Sequence, residues 1–346
     1  MSEESKMHYV RLGNSGLKVS KIILGTMQYG DKKWEEWVLE EEEAIQHIKY
    51  AYEHGINTFD TADAYSNGLA ERILGNAIKK LGLPREEIVV MTKVYQPCAR
   101  DTGTNLLGSR LNPDDIGLVN QWGLSRKHIF DGVKGSLERL QLDYIDVLQC
   151  SRFDYNTPIE ETMRALHDAV KAGWVRYIGM SSCYAYQFQV MQNYAISNNL
   201  TPFISMQNHY NLVYREEERE MFPTLKMFGV GSIPWSPLAR GLIARPLSEH
   251  STKRGQKDKF IQGYMKGSTS DIIVRVEELA KKRGVSMAQI AIAWTLSKDG
   301  VTAPIVGTTN LENLKDVLDG VHVKLTEEEI TYLEEPYRPL NVAGHI

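Results

Sequence analysis

Short runs of apolar and β-branched residues alternate along the chain with longer stretches whose apolar positions recur at helical spacing. The run 21–26 (KIILGT) precedes a helical pattern over 39–54, with Ala44, Ile45, Ile48 and Ala51 on one face. The run 56–62 precedes a helix near 69–81, and the run 88–94 leads into an irregular segment over 95–124. Ser125 is placed to cap a helix over 126–141. The run 144–151 follows, then a helix over 158–172 with Pro158 in its first turn. The series continues with the run 175–181, a helix over 185–198, the run 203–209, a helix over 215–228 and the run 229–235. Helices over 271–284 and 286–298, the run 303–308 and a helix over 310–318 complete it.

These eight apolar runs lack clean polar alternation, as strands do in a parallel sheet covered on both faces. Strict alternation of strand and helix allows an open doubly wound sheet or a closed barrel. Eight units in one chain predict an α/β fold of the (β/α)8, or TIM, barrel type. No G-x-G-x-x-G follows the first strand, which argues against the classical dinucleotide fold. Ahead of the barrel, Asn14-Ser15-Gly16 between two extended runs predicts a β-hairpin over about 8–20. Thr326 is placed to cap a C-terminal helix in the tail 326–346. No linker-like stretch divides residues 1–346, so a single domain is expected. The connections 95–124 after strand three and 241–270 after strand seven exceed ordinary loop lengths, on the strand ends where barrel enzymes build their sites.

Composition narrows the function classes. Hydrophobic residues make up 42% and charged residues 24%, with a formal net charge of −4, so a basic face for nucleic acid is not expected. No apolar run approaches the roughly 18 residues of a membrane span. The N-terminus MSEESKMHYV lacks the basic and apolar regions of a secretory signal. Cys98, Cys150 and Cys183 show no C-x-x-C spacing, so neither a disulfide framework nor a metal site is expected, and a cytoplasmic location is. Cys150 and Cys183, like His54 and His209, are read as packing residues.

In such a barrel, polar residues at the C-terminal strand ends converge. Here they are Asp60, Tyr65, Lys93, Ser151, Ser181, Ser182, Gln207, Asn208, Trp235 and Ser236. Asp60 and Lys93 each end an apolar run, and two buried charges resolve their desolvation as a pair. The plain reading is a structural ion pair beside a packing tyrosine. The chemical reading is that the lysine cation favours the phenolate of Tyr65 and makes it a proton donor useful near neutral pH.

The segments GINTFDTADAYSNGLAERILGNAI, VVMTKV, YIDVLQ, RFDYNTPIEETMRALHDAVKAGWVRYIGMSS, SMQNHYNL, PWSPLARGLI and PIVGTTNLENLKD together resemble the aldo-keto reductases, in particular the fungal aryl-alcohol-dehydrogenase-like type. The resemblance runs in order from the N-terminal hairpin to about residue 335. It implies a TIM barrel that transfers hydride from a nicotinamide cofactor to a carbonyl, without metal. It places Asp60, Tyr65 and Lys93 in the family's catalytic set, with Tyr65 as general acid. Where the family carries histidine in a His-Arg-Phe-Asp motif, this chain has Ser151 before Arg152, Phe153 and Asp154. Serine offers one hydrogen bond and no cationic form, so weakened or redirected reduction is expected.

The resemblance also implies the cofactor contacts. These are Gly25, Thr26 and Met27 on the ribose side, Ser181, Ser182 and Gln207 at the carboxamide, and Trp235 against the nicotinamide. Ser236, Pro237, Leu238, Arg240 and Gly241 face the pyrophosphate as an anion nest, with Lys253, Arg254 and Lys257 above it. Gly307, Thr308, Thr309, Asn313 and Asp316 lie at the adenine end. Asn313 stands where NADP-selective relatives carry arginine, and Val317 replaces a usual Asn. NADP is expected, with NAD still open. Tyr29, Trp34, Trp37, Tyr95 and Trp122, with Arg152, predict an aromatic or bulky apolar carbonyl substrate. A monomer or weak homo-oligomer is expected. Two alternatives are a cofactor-sensing regulatory subunit with little turnover and a reductase of activated C=C bonds.

Overall fold

Apolar runs without polar alternation become strands buried on both faces, in a computed structural model that describes residues 7–107, 109, 111–249 and 259–345. An antiparallel hairpin of β1 (Tyr9–Arg11) and β2 (Lys18–Ser20) comes first, paired from Tyr9↔Ser20 to Arg11↔Lys18. The eight barrel strands are β3 (Ile23–Gly25), β4 (Thr58–Asp60), β5 (Val89–Val94), β6 (Ile145–Cys150), β7 (Val175–Ser181), β8 (Phe203–Gln207), β9 (Gly231–Ser232) and β10 (Ile305–Val306). The helices α1 (Glu41–Glu53), α2 (Leu69–Leu81), α3 (Arg126–Leu140), α4 (Ile159–Lys171), α5 (Ala185–Ser197) and α6 (Met221–Phe228) alternate with them. Further helices span Lys259–Tyr264, Thr269–Arg283, Met287–Ser297, Leu311–Asp319 and Glu327–Glu334. This order of elements is that of a (β/α)8 barrel with an N-terminal hairpin. Among the described residues no helix is long and apolar enough to cross a membrane.

Contacts divide the chain into two compact units, Met1–Ile23 with Gln207–Gly344, and Leu24–Met206 with His345–Ile346. Two of the boundaries fall within strands, β3 and β8, and the third in the C-terminal tail, between Gly344 and His345.

The larger continuous unit, residues 24–206, carries β4 to β7 side by side and parallel. Every residue of β5 and β6 is buried. Register sets Lys93 opposite Gln149 and Gln149 opposite Gly179, so one layer of the sheet carries a lysine, an amide and a glycine. The glycine is required by space. A Cβ at Gly179 would lie 2.3 Å from Ser205 Oγ and 3.3 Å from Gln149 Cγ. Ser125 caps α3 by accepting from the His128 N–H, and Pro158 stands at the start of α4.

In the other unit, parallel bridges link His209 to Trp235 and Trp235 to Ile305, and Ile23 donates to the Pro304 carbonyl at 3.0 Å. The predicted strand over 229–235 is regular only at Gly231–Ser232. Pro234 has no N–H to add to the ladder, though its carbonyl accepts from Ile305 at 2.8 Å. The predicted helix over 215–228 divides into a 3₁₀ turn at Glu216–Glu218 and α6. Pro223 belongs to the first turn of α6, where its missing N–H costs nothing. The connection after β9 is not structureless, since it holds 3₁₀ turns at Ala239–Ala244 and Leu247–Glu249 and the helix Lys259–Tyr264.

Candidate active site

The end of β4 sets Asp60 beside Lys93 of β5. Lys93 Nζ donates to Asp60 Oδ2 at 2.6 Å, to the Thr61 carbonyl at 2.7 Å and to Tyr65 Oη at 3.4 Å. An ammonium has three hydrogens, so its donor capacity is filled. Gln149 Nε2 donates to Asp60 Oδ1 at 2.9 Å, fixing the carboxylate from its other side. The Lys93 and Asp60 side chains are 5% and 3% exposed, which makes this a buried ion pair that would be costly without its full set of hydrogen bonds. Burial pulls the Lys93 pKa down, but Asp60 and Tyr65 outweigh it and hold the lysine above its ordinary value. The cation therefore stays charged at neutral pH beside a half-buried phenol.

Tyr65 opens a tight turn. Ser66 (φ 46°) and Asn67 (φ 50°) follow in left-handed backbone, then Gly68 (φ 90°) leads into α2. Non-glycine residues in that region cost on the order of 1 kcal/mol or more each, so tertiary contacts must hold the turn. Asn67 supplies three. Its Oδ1 accepts from Ala99 N at 2.9 Å, and its Nδ2 donates to the Asp101 and Thr104 carbonyls at 2.8 and 2.7 Å. Ser66 Oγ accepts from Asp31 N at 3.1 Å. The 95–105 segment is thus tied to the turn that presents Tyr65. Behind it, Glu71 is fully buried and holds Arg139 at 2.6 Å and Thr92 Oγ1 at 2.5 Å. Asp63 lies in the same buried cluster. Its desolvation, with Glu71 adding like charge, raises its pKa to about 8.

At the end of β6, Ser151 N donates to the Val94 carbonyl at 3.0 Å, and its hydroxyl makes no hydrogen bond among the described residues. Arg152 folds back so that Nη1 donates to the Ser151 carbonyl. Asp154 accepts from Leu124 N, Asn156 N and Thr157 Oγ1 at 2.7, 2.8 and 2.7 Å, which anchors the end of the long 95–124 connection. Tyr95 and Trp122 in that connection are half-buried, with Trp122 Nε1 donating to Asp114 at 2.9 Å. Tyr29 and Trp34, expected over the barrel mouth, pack inward instead. Tyr29 is fully buried and edge-on to His47 of α1, while Trp34 is edge-on to Trp37. Burial also pushes the Cys150 thiol up to about 12, in keeping with a packing cysteine.

In the other unit, Trp235 is half-buried with one ring face on His209, centroids 4.1 Å apart and planes 9° apart. His209 is in turn stacked on Tyr214 at 4.0 Å, and its Nε2 shares a hydrogen bond with Tyr264 Oη. Arg240 lies 6.0 Å from the Trp235 ring centroid.

A model of the aldo/keto reductase family matches residues 21–338. The chain is 52% identical to the versiconal hemiacetal acetate reductase of Aspergillus parasiticus over 96% of this chain and 98% of that one. It is 50% identical to a "putative aryl-alcohol dehydrogenase" of Schizosaccharomyces pombe over the whole of both. It is 45% identical to aldo-keto reductase AFTS1 of Alternaria alternata, over 99% of this chain and 94% of that one. The chain belongs to the aldo/keto reductase family. It is an oxidoreductase enzyme, of a family that works with NAD(P)H.

The residues of this reductase fit such a cofactor in each unit taken by itself. In residues 24–206, the Thr26 hydroxyl is buried without a hydrogen-bond partner among the described residues, and Ser181 ends β7 with Ser182 just after it, both buried. Gly25 and Met27 flank Thr26. In the other unit, Gln207 is buried at the end of β8, the Trp235 ring is half-open, and Gly307 and Thr309 are exposed. Three expected contacts differ in detail. The Ala239 and Gly241 amides close turns on Ser236 and Leu238 at 2.9 and 2.8 Å, so only part of 236–241 can act as a nest. Asn310 caps its own helix by accepting from Glu312 N and Asn313 N at 2.8 and 3.3 Å, which removes two amides beside Thr308 and Thr309. Asp316 accepts from Ser286 and Gln289 at 2.7 and 2.8 Å, which makes it a helix-packing acid, while Asn313 is exposed. Lys253, Arg254 and Lys257 lie outside the described residues.

Around these residues the fold also gathers side chains that the sequence pattern did not mark. Gln149 was signalled only by a polar residue inside the buried run IDVLQC, and Asn67 by nothing beyond its place after Tyr65-Ser66. Asp63, Glu71 and Arg139 are far apart along the chain, and only the fold collects them.

Proposed function

We propose that this enzyme reduces an aldehyde or ketone, aromatic or bulky and apolar, with NADP(H) as its cofactor and Tyr65 as general acid. The observation that carries this reading is the hydrogen-bonded set Gln149–Asp60–Lys93–Tyr65, a buried cation held beside a phenol. When bound, reduced nicotinamide supplies the hydride. Tyr65 donates its hydroxyl proton to the carbonyl oxygen, and Lys93 stabilises the phenolate left behind. Asp60 keeps Lys93 charged and in place, and Gln149 keeps Asp60 from turning away. Positioned proton transfer of this kind contributes on the order of 10²–10⁴ in rate.

Ser151 stands where relatives of this type carry histidine, so orientation of the carbonyl is the weakened part of the machinery. The cofactor-binding candidates are Gly25, Thr26, Met27, Ser181 and Ser182 in one unit, and Gln207, Trp235, Ser236, Pro237, Leu238, Arg240, Gly241, Gly307, Thr308 and Thr309 in the other. Tyr95, Trp122 and Arg152 are the substrate-facing candidates. The test is NADPH oxidation with a panel of aromatic aldehydes by wild type and Tyr65→Phe. Wild type is expected to turn over, and the variant to lose at least 100-fold in kcat while still enhancing NADPH fluorescence. Equal rates in the two proteins would refute the role of Tyr65. No turnover on any carbonyl, with tight NADPH binding, would favour a sensing role.

A further inference from the structure

Arg152 differs from the other buried or half-buried cations of its unit. Asp60 holds Lys93, Glu71 holds Arg139 and Asp146 holds Arg85, each at 2.6 Å. Among the described residues no carboxylate lies within 4.0 Å of the Arg152 guanidinium. Its one hydrogen bond among them runs to the carbonyl of its own neighbour, Ser151, and leaves four N–H donors. The ionisable groups it feels are Tyr65, Tyr95 and Cys183, all neutral in their ordinary state. Asp154, only two residues away, has both oxygens committed to Leu124, Asn156 and Thr157. Holding a cation away from water without an acid is costly, and an anionic ligand that accepts from a planar guanidinium fork offsets the cost. The side chain is half-buried rather than sealed, and Tyr65 is among the groups near enough to act on it electrostatically.

We propose that Arg152 is the anion-recognition group of the substrate site, and that the carbonyl substrate carries a carboxylate which pairs with it. The proposal deepens the reductase reading, because it specifies the substrate that Tyr65 would protonate. Serine at 151 is part of it, since a hydroxymethyl group leaves Arg152 more room than an imidazole would.

The test compares 4-formylbenzoate with its methyl ester, assayed with NADPH for wild type, Arg152→Gln and Arg152→Lys. The readout is the ratio of kcat/KM for acid over ester. Charge-assisted hydrogen bonds predict a ratio of about 10 to 100 in wild type, near 1 in Arg152→Gln and intermediate in Arg152→Lys. A wild-type ratio of 1, or one unchanged in Arg152→Gln, overturns the proposal. Should Arg152→Gln fail to fold by circular dichroism, the wild-type and lysine ratios decide. If neither aldehyde is reduced, the reading of the site as one for aromatic aldehydes fails instead. Calorimetric binding of benzoate against benzamide, with NADPH present, then judges Arg152 alone. A preference for benzoate that weakens in Arg152→Lys upholds the proposal, and equal binding sinks it.

Discussion

Replacing Asp60 by asparagine keeps the shape of the side chain and removes only its charge. In the wild type, Asp60 Oδ2 accepts from Lys93 at 2.6 Å and Oδ1 accepts from Gln149 at 2.9 Å, with both members of the ion pair almost fully buried. An amide can keep only one acceptor. If its oxygen faces Gln149, its NH₂ faces the Lys93 ammonium, donor against donor. Two outcomes are open to Lys93, and both are measurable. Staying charged without its partner costs about 3–5 kcal/mol, as for other broken buried pairs. Losing its proton is the alternative, because burial is the largest influence on Lys93 and pulls its pKa down once Asp60 no longer counters it.

The sign of the pH dependence follows. In Asp60→Asn, with only Tyr65 left to oppose burial, the folded pKa of Lys93 is expected to fall below its unfolded value of 10.5, so that the native state binds fewer protons than the unfolded chain. Stability of the variant therefore rises with pH up to about 10.5. In the wild type the shift is upward, and the stability it contributes is full below 10.5 and lost above the folded pKa. The gap between the two proteins is widest near pH 7 and narrows towards pH 10. Urea unfolding at pH 7 and 9.5 gives the gap, and NADPH oxidation gives the matching loss of kcat, on the order of 10² or more. A variant within 1 kcal/mol of wild type at pH 7, or a gap that does not narrow with pH, refutes the buried pair as described.

Three further outcomes are expected. Ser151→His should raise kcat/KM for neutral aromatic aldehydes by about tenfold or more, measured by NADPH oxidation, and no gain would mean that position 151 does not limit the reaction. Asp63 has a folded pKa of about 8 against 3.8 unfolded, so its contribution to stability is full below pH 3.8 and lost as pH rises to 8. Asp63→Asn should abolish that loss, flattening the fall in Tm between pH 5 and 8.5 in differential scanning calorimetry. Gly179→Ala should cost about 1–3 kcal/mol by overpacking, because the new methyl would lie 2.3 Å from Ser205 Oγ. Ser205→Gly in the same chain should recover most of that cost in urea unfolding.

The order of strands and helices was legible because the strand runs are largely apolar on both faces and several helices open on a recognisable residue. Ser125 before α3, Pro158 before α4 and Thr326 before Glu327–Glu334 are such residues. Where a strand is short the pattern misled. Ile233-Pro234-Trp235 has the apolarity of a strand, but Pro234 brings no N–H to the ladder. That Asp60, Lys93 and Tyr65 come together was legible from their places at, or just beyond, strand ends. What supports them was not, since Gln149 reaches Asp60 across 89 residues and Asn67 reaches 95–105 through carbonyls that no side-chain pattern marks. The two loop aromatics misjudged, Tyr29 and Trp34, share a cause. An aromatic residue on a connection is equally useful for packing, and only the packing partner, His47 of α1 for Tyr29 or the loop residue Trp37 for Trp34, tells the two apart.

The supports of Tyr65 also locate the effect of Ser151. Asp60, Lys93 and Gln149 come from β4, β5 and β6, and the Tyr65 turn is held by Ser66, Asn67 and the Glu71–Arg139 cluster. None of these contacts uses the side chain at position 151. On the proposed reading, serine in place of a histidine there would remove a hydrogen-bond donor for the substrate and leave the proton source intact. Any deficit should therefore depend on which substrate is offered, large for a carbonyl held only by its oxygen and small for one held through a second group. The guanidinium of Arg152, next in the chain and without an acid of its own, is the group placed to provide that second hold.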